Sequence, residues 1–292
     1  MAQVRFKQVD VFTSVRFKGN PVAVILRGDD LSSEQMQQIA NWTNLSETTF
    51  VLPAFQAGAD YRVRIFTPGS ELPFAGHPTI GTAHALLEAG AITPKQGVLV
   101  QECKAGLVTL QVSRKPDGSQ SISFTLPQAS ITPLDAAAVT ELEAILGAPV
   151  NASFPPCLVD VGPRWIVAQM ESGEAVLENK PDLQRMARQD TGARATGVTI
   201  FGEYRNAGAA RIEVRSFAPT QGISEDPVCG SGNGCVAAFI RHTGQTAHFG
   251  QTYAASQGRA IGRAGSIDIA ISAESIQVGG SAVTCIDGHV SL

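Results

Sequence analysis

Apolar and polar residues alternate along most of this chain in short runs, the pattern of strands with one buried face. Such runs occupy Val4–Phe12, Val22–Leu26, Thr48–Leu52, Tyr61–Phe66, Val98–Cys103, Leu107–Val112 and Ser121–Phe124. Later in the chain they recur at Leu158–Val161, Trp165–Gln169, Val198–Phe201, Ala210–Phe217, Ile267–Ile271, Ser275–Val278 and Val283–Val290. Helical spacing predicts surface helices over Ser32–Trp42, Leu134–Leu146 and Pro181–Gln189. Two more segments, His77–Glu88 and Ser231–His242, are rich in small residues and carry few charges. Each predicts a helix buried at the centre of its half and ended by a glycine. Many strands with few helices between them argue against a doubly wound parallel sheet. The expected class is α+β, with a curved, mostly antiparallel sheet wrapped around one central helix in each half.

The two small-residue helices belong to an internal repeat. Arg64 to Pro68 (RIFTP) returns 151 residues later as Arg215 to Pro219 (RSFAP). Phe74 to Ala83 (FAGHPTIGTA) aligns with Val228 to Ala237 (VCGSGNGCVA) at an offset of 154, so the later copy holds three extra loop residues. Gly76 pairs with Gly230, Ala83 with Ala237 and Gly90 with Gly244. The repeat predicts two pseudo-symmetric domains, 1–130 and 131–280, with 281–292 returning as a strand to the first.

Composition narrows the function. Of 292 residues, 43% are hydrophobic and 16% charged, enough apolar surface for a core and too much for a disordered chain. The 22 Lys and Arg are scattered against 26 Asp and Glu, for a net charge of -4, so no basic footprint for nucleic acid is visible. No apolar run approaches the roughly 18 residues of a membrane span. The N-terminus alternates like a strand and lacks the apolar core of a signal peptide, so a cytoplasmic protein is expected. Cys103, Cys157, Cys229, Cys235 and Cys285 are odd in number, dispersed and without a CxxC pair, which fits free thiols in a reducing compartment. Their spacing, and that of His77 and His84, supports no zinc site, and no metal or other cofactor is expected.

Each repeated glycine turn opens a buried helix, whose first N–H groups and dipole make a ready anion site. One such turn is as simply read as close helix packing; two at related positions point to function. The pattern GxxxxGK[ST] is absent, so a phosphate loop is not supported. Glu47, where an apolar strand begins, is on its own an ordinary surface carboxylate. Beside an anion site with apolar walls its pKa would rise toward neutrality, as suits a proton carrier. His77 lies at the mouth of the first turn, where a cation is disfavoured, and reads as a neutral donor or acceptor, or as a helix cap. Asp226, at the second, reads as a cap or as an acid. Cys229 is either a small residue in a tight turn or a thiol whose pKa the helix start lowers, a base or nucleophile.

Four motifs in order carry a resemblance: Gly19 to Val24 (GNPVAV), Asn44 to Phe50 (NLSETTF), Glu71 to Gly81 (ELPFAGHPTIG) and Glu225 to Asn233 (EDPVCGSGN). Together they resemble the phenazine-biosynthesis-like isomerase family, of the diaminopimelate epimerase fold, and the likeness spans nearly the whole chain. It implies two barrel-like domains, each around a central helix, often assembled as a homodimer. It also implies cofactor-independent proton transfer on a small carboxylate substrate in the cleft between domains. Carried onto this sequence, Glu47 would take a proton from one carbon and return it to another. His77 and Asp226 would hydrogen-bond the substrate and direct the proton. Gly76, Gly230 and Ser231 would present donors to its carboxylate, with Cys229 beside them. The family's characterised reaction is isomerisation of trans-2,3-dihydro-3-hydroxyanthranilate.

One departure matters. In the related diaminopimelate epimerases and proline racemases a cysteine precedes each glycine of the paired turns. Here the first turn carries Ala75, so the two-thiol mechanism lacks a partner, while the second keeps Cys229 where threonine is expected. Three hypotheses follow: a single-base isomerase working through Glu47, a two-base epimerase or racemase using Glu47 and Cys229, and a catalytically silent carboxylate-binding protein. A cysteine-nucleophile hydrolase is more distant, since no base for Cys229 is evident in the sequence.

Overall fold

In the computed structural model, which describes residues 3–115, 118–206 and 208–291, the chain divides into two units. One runs through Thr125 and resumes at Gly279; the other is Leu126–Val278.

The first unit begins with a hairpin, β1 (Gln3–Val11) and β2 (Asn20–Ile25). Helix α1 (Ser33–Thr43) crosses to β3 (Glu47–Leu52), which runs parallel to β2. β4 (Tyr61–Phe66) is antiparallel to β3, and the short β5 (Glu71–Leu72) folds back on β4. Helix α2 (Gly76–Glu88) then carries the chain to β6 (Val98–Cys103), parallel to β4, and the antiparallel β7 (Gly106–Arg114) and β8 (Gln120–Thr125).

The second unit opens with β9 (Ser130–Pro133), α3 (Ala136–Leu146), β10 (Cys157–Asp160) and β11 (Arg164–Gln169). It continues through α4 (Gly173–Glu178), α5 (Leu183–Ala193), β12 (Gly197–Glu203), β13 (Ile212–Ala218) and β14 (Ile223–Asp226). Then come α6 (Gly230–His242), α7 (Thr246–Phe249), β15 (Thr252–Gln257), β16 (Gly265–Ile271) and β17 (Ile276–Gly280). Finally β18 (Ala282–Ser291) pairs antiparallel with β1 in the first unit.

The same construction occurs in both units. Strand order in the first is β18–β1–β2–β3–β4–β6–β7–β8, with parallel joins only at β2/β3 and β4/β6. In the second, β9–β10–β11–β12–β13–β15–β16 repeats it, with parallel joins at β11/β12 and β13/β15. The sheets are therefore mixed, each parallel join being made by a helical crossover. Helix α2 packs against both β18 and β8, the two edges of its sheet, as well as β1, β2 and β3. A sheet whose opposite edges touch one helix is curled around it. Most of α2 is buried, as is most of α6, which sits on β10, β11, β12 and β16. Their glycine ends adopt the left-handed conformation, Gly90 at φ 67° and Gly244 at φ 73°.

The outer face of each sheet carries the amphipathic helices. Met36 and Ala40 of α1 pack with Ile25, Phe50 and Phe66. In the second unit Leu142, Ile145 and Leu146 of α3, Val176 of α4 and Met186 of α5 pack with Ile166, Val198, Ile200 and Phe217.

Candidate functional site

Glu47 is placed by the end of α1. Asn44 caps that helix in the left-handed conformation, φ 54°, and its N–H returns to the Ala40 carbonyl. Three residues later the chain enters β3, with Glu47 in register beside Val22 of β2. Thr43 and Thr48 join their hydroxyls across the turn at 2.8 Å, which fixes the bend. His77 is the second residue of α2, a helix whose first turn has no side-chain cap.

The two side chains meet. Glu47 Oε2 lies 3.2 Å from His77 Nε2, with 13% and 7% of the side chains exposed. That distance suits an ion pair, but burial decides otherwise. Desolvation pushes the imidazole pKa down to about 3, against a hydrogen bond to the Pro21 backbone that works the other way. Proline has no N–H, so its carbonyl accepts and the imidazole donates. Nε2 has no aligned hydrogen-bond partner, so the donor to Pro21 is Nδ1. The ring is thereby held neutral in the Nδ1–H tautomer, and its bare Nε2 lies beside the Glu47 carboxyl without an aligned hydrogen bond to it.

The second constellation surrounds the start of α6. Asp226 ends β14 and accepts at Oδ1 from the Val228 N–H, 3.0 Å away, an Asx turn. Burial raises its pKa to about 6, and the charge of Glu225 adds to the rise. Cys229 is the N-cap of α6, its sulfur accepting from the Gly232 N–H at 3.2 Å. Gly230 and Ser231 open the helix. The Ser231 hydroxyl oxygen accepts from the buried Trp165 indole at 3.0 Å, leaving its own proton to point elsewhere.

Of the two readings of Cys229, the small residue in a tight turn is the one its surroundings favour. Rather than lowering the Cys229 pKa, its surroundings raise it well above the ordinary value, through burial first and the nearby Asp226 carboxyl second. The partial charge of a helix start is outweighed by desolvation. Cys229 is a protonated, capping thiol.

The sequence-predicted residues thus fall into two groups, Glu47, Gly76 and His77 in one unit and Asp226, Cys229, Gly230 and Ser231 in the other. Three contributors were missed. The Pro21 carbonyl sits inside a motif already noted, whereas Trp165 and Gln257 reach the second turn from other strands. Among the described residues no group of three or more His, Cys, Asp or Glu could hold a metal ion. Nor is any described helix long and apolar enough to cross a membrane.

Residues 9–288 match the family described as phenazine biosynthesis-like protein. The chain is 44% identical over 296 residues to Antisense-enhancing sequence 1 of Schizosaccharomyces pombe, covering 99% of each. It is 38% identical over 256 residues to trans-2,3-dihydro-3-hydroxyanthranilate isomerase of Pseudomonas fluorescens, covering 87% of this chain and 86% of that one. The crystal structure of a Bacillus anthracis phenazine biosynthesis protein of the PhzF family matches the whole of both chains with a TM-score of 0.88 at 25% identity.

Proposed function

The chain belongs to the phenazine biosynthesis-like family, an isomerase family of the diaminopimelate epimerase fold, and from that premise we propose that it is a cofactor-independent isomerase moving a proton between carbons of a small carboxylate. Glu47 is the acid/base. The observation that carries this reading is the Glu47–His77 contact at the head of the buried helix α2. As a carboxylate, Glu47 removes a proton from one carbon, the C–H electron pair entering the substrate's conjugated system. As a carboxylic acid it returns that proton to another carbon, so substrate and product have the same composition. The bare Nε2 of His77 is near enough that a small rotation of either side chain lets it accept the O–H of the protonated Glu47 carboxyl between the two transfers, steadying the intermediate state. Asp226 hydrogen-bonds the substrate and directs the proton. The N–H groups of Gly76 and Gly230 and the Ser231 hydroxyl receive the carboxylate, with Cys229 shaping the turn.

The two-base alternative is weakened by the raised Cys229 thiol, since a base must shed its proton near neutral pH. The silent binding protein gives no reason for a neutral imidazole beside a carboxyl.

Solvent deuterium incorporation tests all three. Wild type, Glu47→Gln and Cys229→Ala would be incubated with trans-2,3-dihydro-3-hydroxyanthranilate and a panel of cyclic and amino carboxylates, and label read by mass spectrometry. The expected result is incorporation by wild type and Cys229→Ala, with none by Glu47→Gln. Incorporation that survives Glu47→Gln sinks the proposal. Loss in both variants favours the two-base epimerase, and no incorporation into any ligand that binds favours the silent protein.

A further inference from the structure

The turn that carries Asp226 is held by a side chain no motif announces. Gln257, the last residue of β15, is fully buried. Its Oε1 accepts from the Cys229 N–H at 3.1 Å and from the Asn233 side-chain amide at 2.8 Å. Its Nε2 donates to the Asp226 carbonyl at 2.9 Å. One amide thus ties the residue before the turn, the N-cap and the first turn of α6 together. Asn233 closes the loop, its amide also donating to the Cys229 carbonyl at 2.9 Å.

The adjoining backbone is moulded to the same turn. Gly258 is left-handed, at φ 92°, and a Cβ there would lie 2.4 Å from the Pro227 carbonyl oxygen. A Cβ on Gly265 would lie 2.3 Å from Val228. The ends of β15 and β16 are pressed against the turn from outside.

The fold alone does not demand this arrangement. The other unit builds the same strand, turn and helix with a lesser tie: buried Gln101 of β6 donates to the hydroxyl of Thr79, 154 positions before Asn233, at 2.9 Å. The residue 154 positions before Gln257, at the matching end of β6, is Cys103, whose thiol donates to the Gly106 carbonyl instead. The first turn of α2 has no comparable side-chain cap. Among the described residues, a glutamine that also holds the N-cap N–H and the carbonyl before the turn is found in the copy that bears Asp226.

We propose that Gln257 is a positioning residue for the proton-transfer site, fixing the Asp226–Cys229 turn in one geometry so that the Asp226 carboxyl and the Gly230 N–H meet the substrate in register. This rests on the isomerase reading above. A donor on one side and an acceptor on the other are both required, which an uncharged amide supplies and a carboxyl supplies only when protonated.

Two variants test it. Gln257→Leu removes all three hydrogen bonds, and displacement of the turn by about 1 Å is enough for a loss on the order of 100-fold in kcat. Gln257→Glu keeps the two acceptor bonds and restores the donor only when its carboxyl is protonated. Its activity relative to wild type should therefore rise as pH falls, a behaviour that loss of packing would not produce. Deuterium incorporation from solvent into trans-2,3-dihydro-3-hydroxyanthranilate and the carboxylate panel reads turnover. Amide hydrogen exchange at Cys229 and Gly232 reads the turn without turnover, and should accelerate at least tenfold in Gln257→Leu while the interior of α6 is unchanged.

If wild type incorporates no deuterium, the isomerase reading fails, and faster exchange confined to the turn still upholds the clamp. If wild type turns over but Gln257→Leu retains its kcat, or the Gln257→Glu profile parallels wild type, the positioning role is overturned. Unchanged amide exchange at Cys229 and Gly232 overturns it equally. Should Gln257→Leu fail to fold, the pH profile of Gln257→Glu decides.

Discussion

The neutrality of His77 has a measurable cost in acid. Burial holds the folded imidazole pKa at about 3, whereas the ordinary value is 6.5. The unfolded chain therefore binds a proton that the folded chain refuses throughout that interval. Stability is intact above pH 6.5 and is lost as pH falls toward 3. Each pH unit is worth ~1.4 kcal/mol, so by pH 4.5, two units below the unfolded value, His77 alone should have removed about 3 kcal/mol. A His77→Gln variant has no such titration. Urea unfolding of both proteins at pH 7.5 and 4.5 measures the difference, wild type being expected to lose about 3 kcal/mol more than the variant. Nitrogen-15 NMR of the imidazole should show the neutral Nδ1–H tautomer persisting to pH 4.5. The opposite arrangement, an imidazolium paired with a Glu47 carboxylate across the 3.2 Å contact, would raise the folded pKa. Wild type would then gain stability relative to the variant as pH fell below neutrality. That sign, or equal losses in the two proteins, would refute the reasoning.

Asp190 titrates in the other direction. It is fully buried on α5 with neither carboxyl oxygen hydrogen-bonded, and burial raises its pKa from 3.8 to about 7. The folded state keeps a proton the unfolded state releases, so this group costs stability as pH rises through that range. Asp190→Asn should therefore stabilise the protein by up to about 4 kcal/mol at pH 8 and by little at pH 4, read by urea unfolding. A gain independent of pH would rule the explanation out. Gly232→Ala tests the packing of α6 on its sheet, since the new Cβ would lie 2.5 Å from Ser216 Oγ and 2.9 Å from Thr199 Oγ1. Overpacking costs about 1–3 kcal/mol against a helix-propensity gain of ~1, so a fall in melting temperature is expected. An unchanged or raised melting temperature would show that the helix moves freely.

Much of the fold was legible because it is locally encoded. The repeat located both central helices to within one residue at their starts, and β6 matches its predicted bounds. What escaped was held by partners rather than by pattern. β15, with the sequence TYAASQ, has too few large apolar residues to stand out, and becomes a strand through its pairing with β13 and β16. β5 and β14 are two and four residues long, below the reach of any periodicity. The site divides in the same way. Its motifs are contiguous and could be read, but Gln257 is 28 residues from the N–H it holds and Trp165 is 66 from the hydroxyl it contacts. The helix start at Cys229 was readable and its burial was not, so the sequence left open a lowered thiol pKa that burial opposes.

What the two units share and where they differ bears on function. In each, an arginine on the matching strand of the repeat, β4 or β13, grips a glutamate on the short strand before the turn. Arg64 Nε and Nη2 donate to Glu71 at 2.7 and 3.0 Å, and Arg215 Nε and Nη2 donate to Glu225 at 3.0 and 2.8 Å. Both guanidinium groups lie 4.9 Å from a phenylalanine ring two residues on. These bidentate pairs anchor the strand that leads into each glycine turn, and so set where the turn begins. The second is more buried: the carbonyls of Val176 and Asn179 at the end of α4 accept from Arg215 Nη1, while Arg64 Nη1 donates to the exposed Ser33 hydroxyl. With the supporting pair in common, folding does not require the turns to differ. Yet one carries Ala75 and His77 with no side-chain cap, and the other carries Cys229 and Ser231 under the Gln257 clamp. The divergence lies where a substrate would be handled, one turn placing a neutral imidazole beside a carboxyl and the other holding a carboxyl and a hydroxyl in a fixed cast.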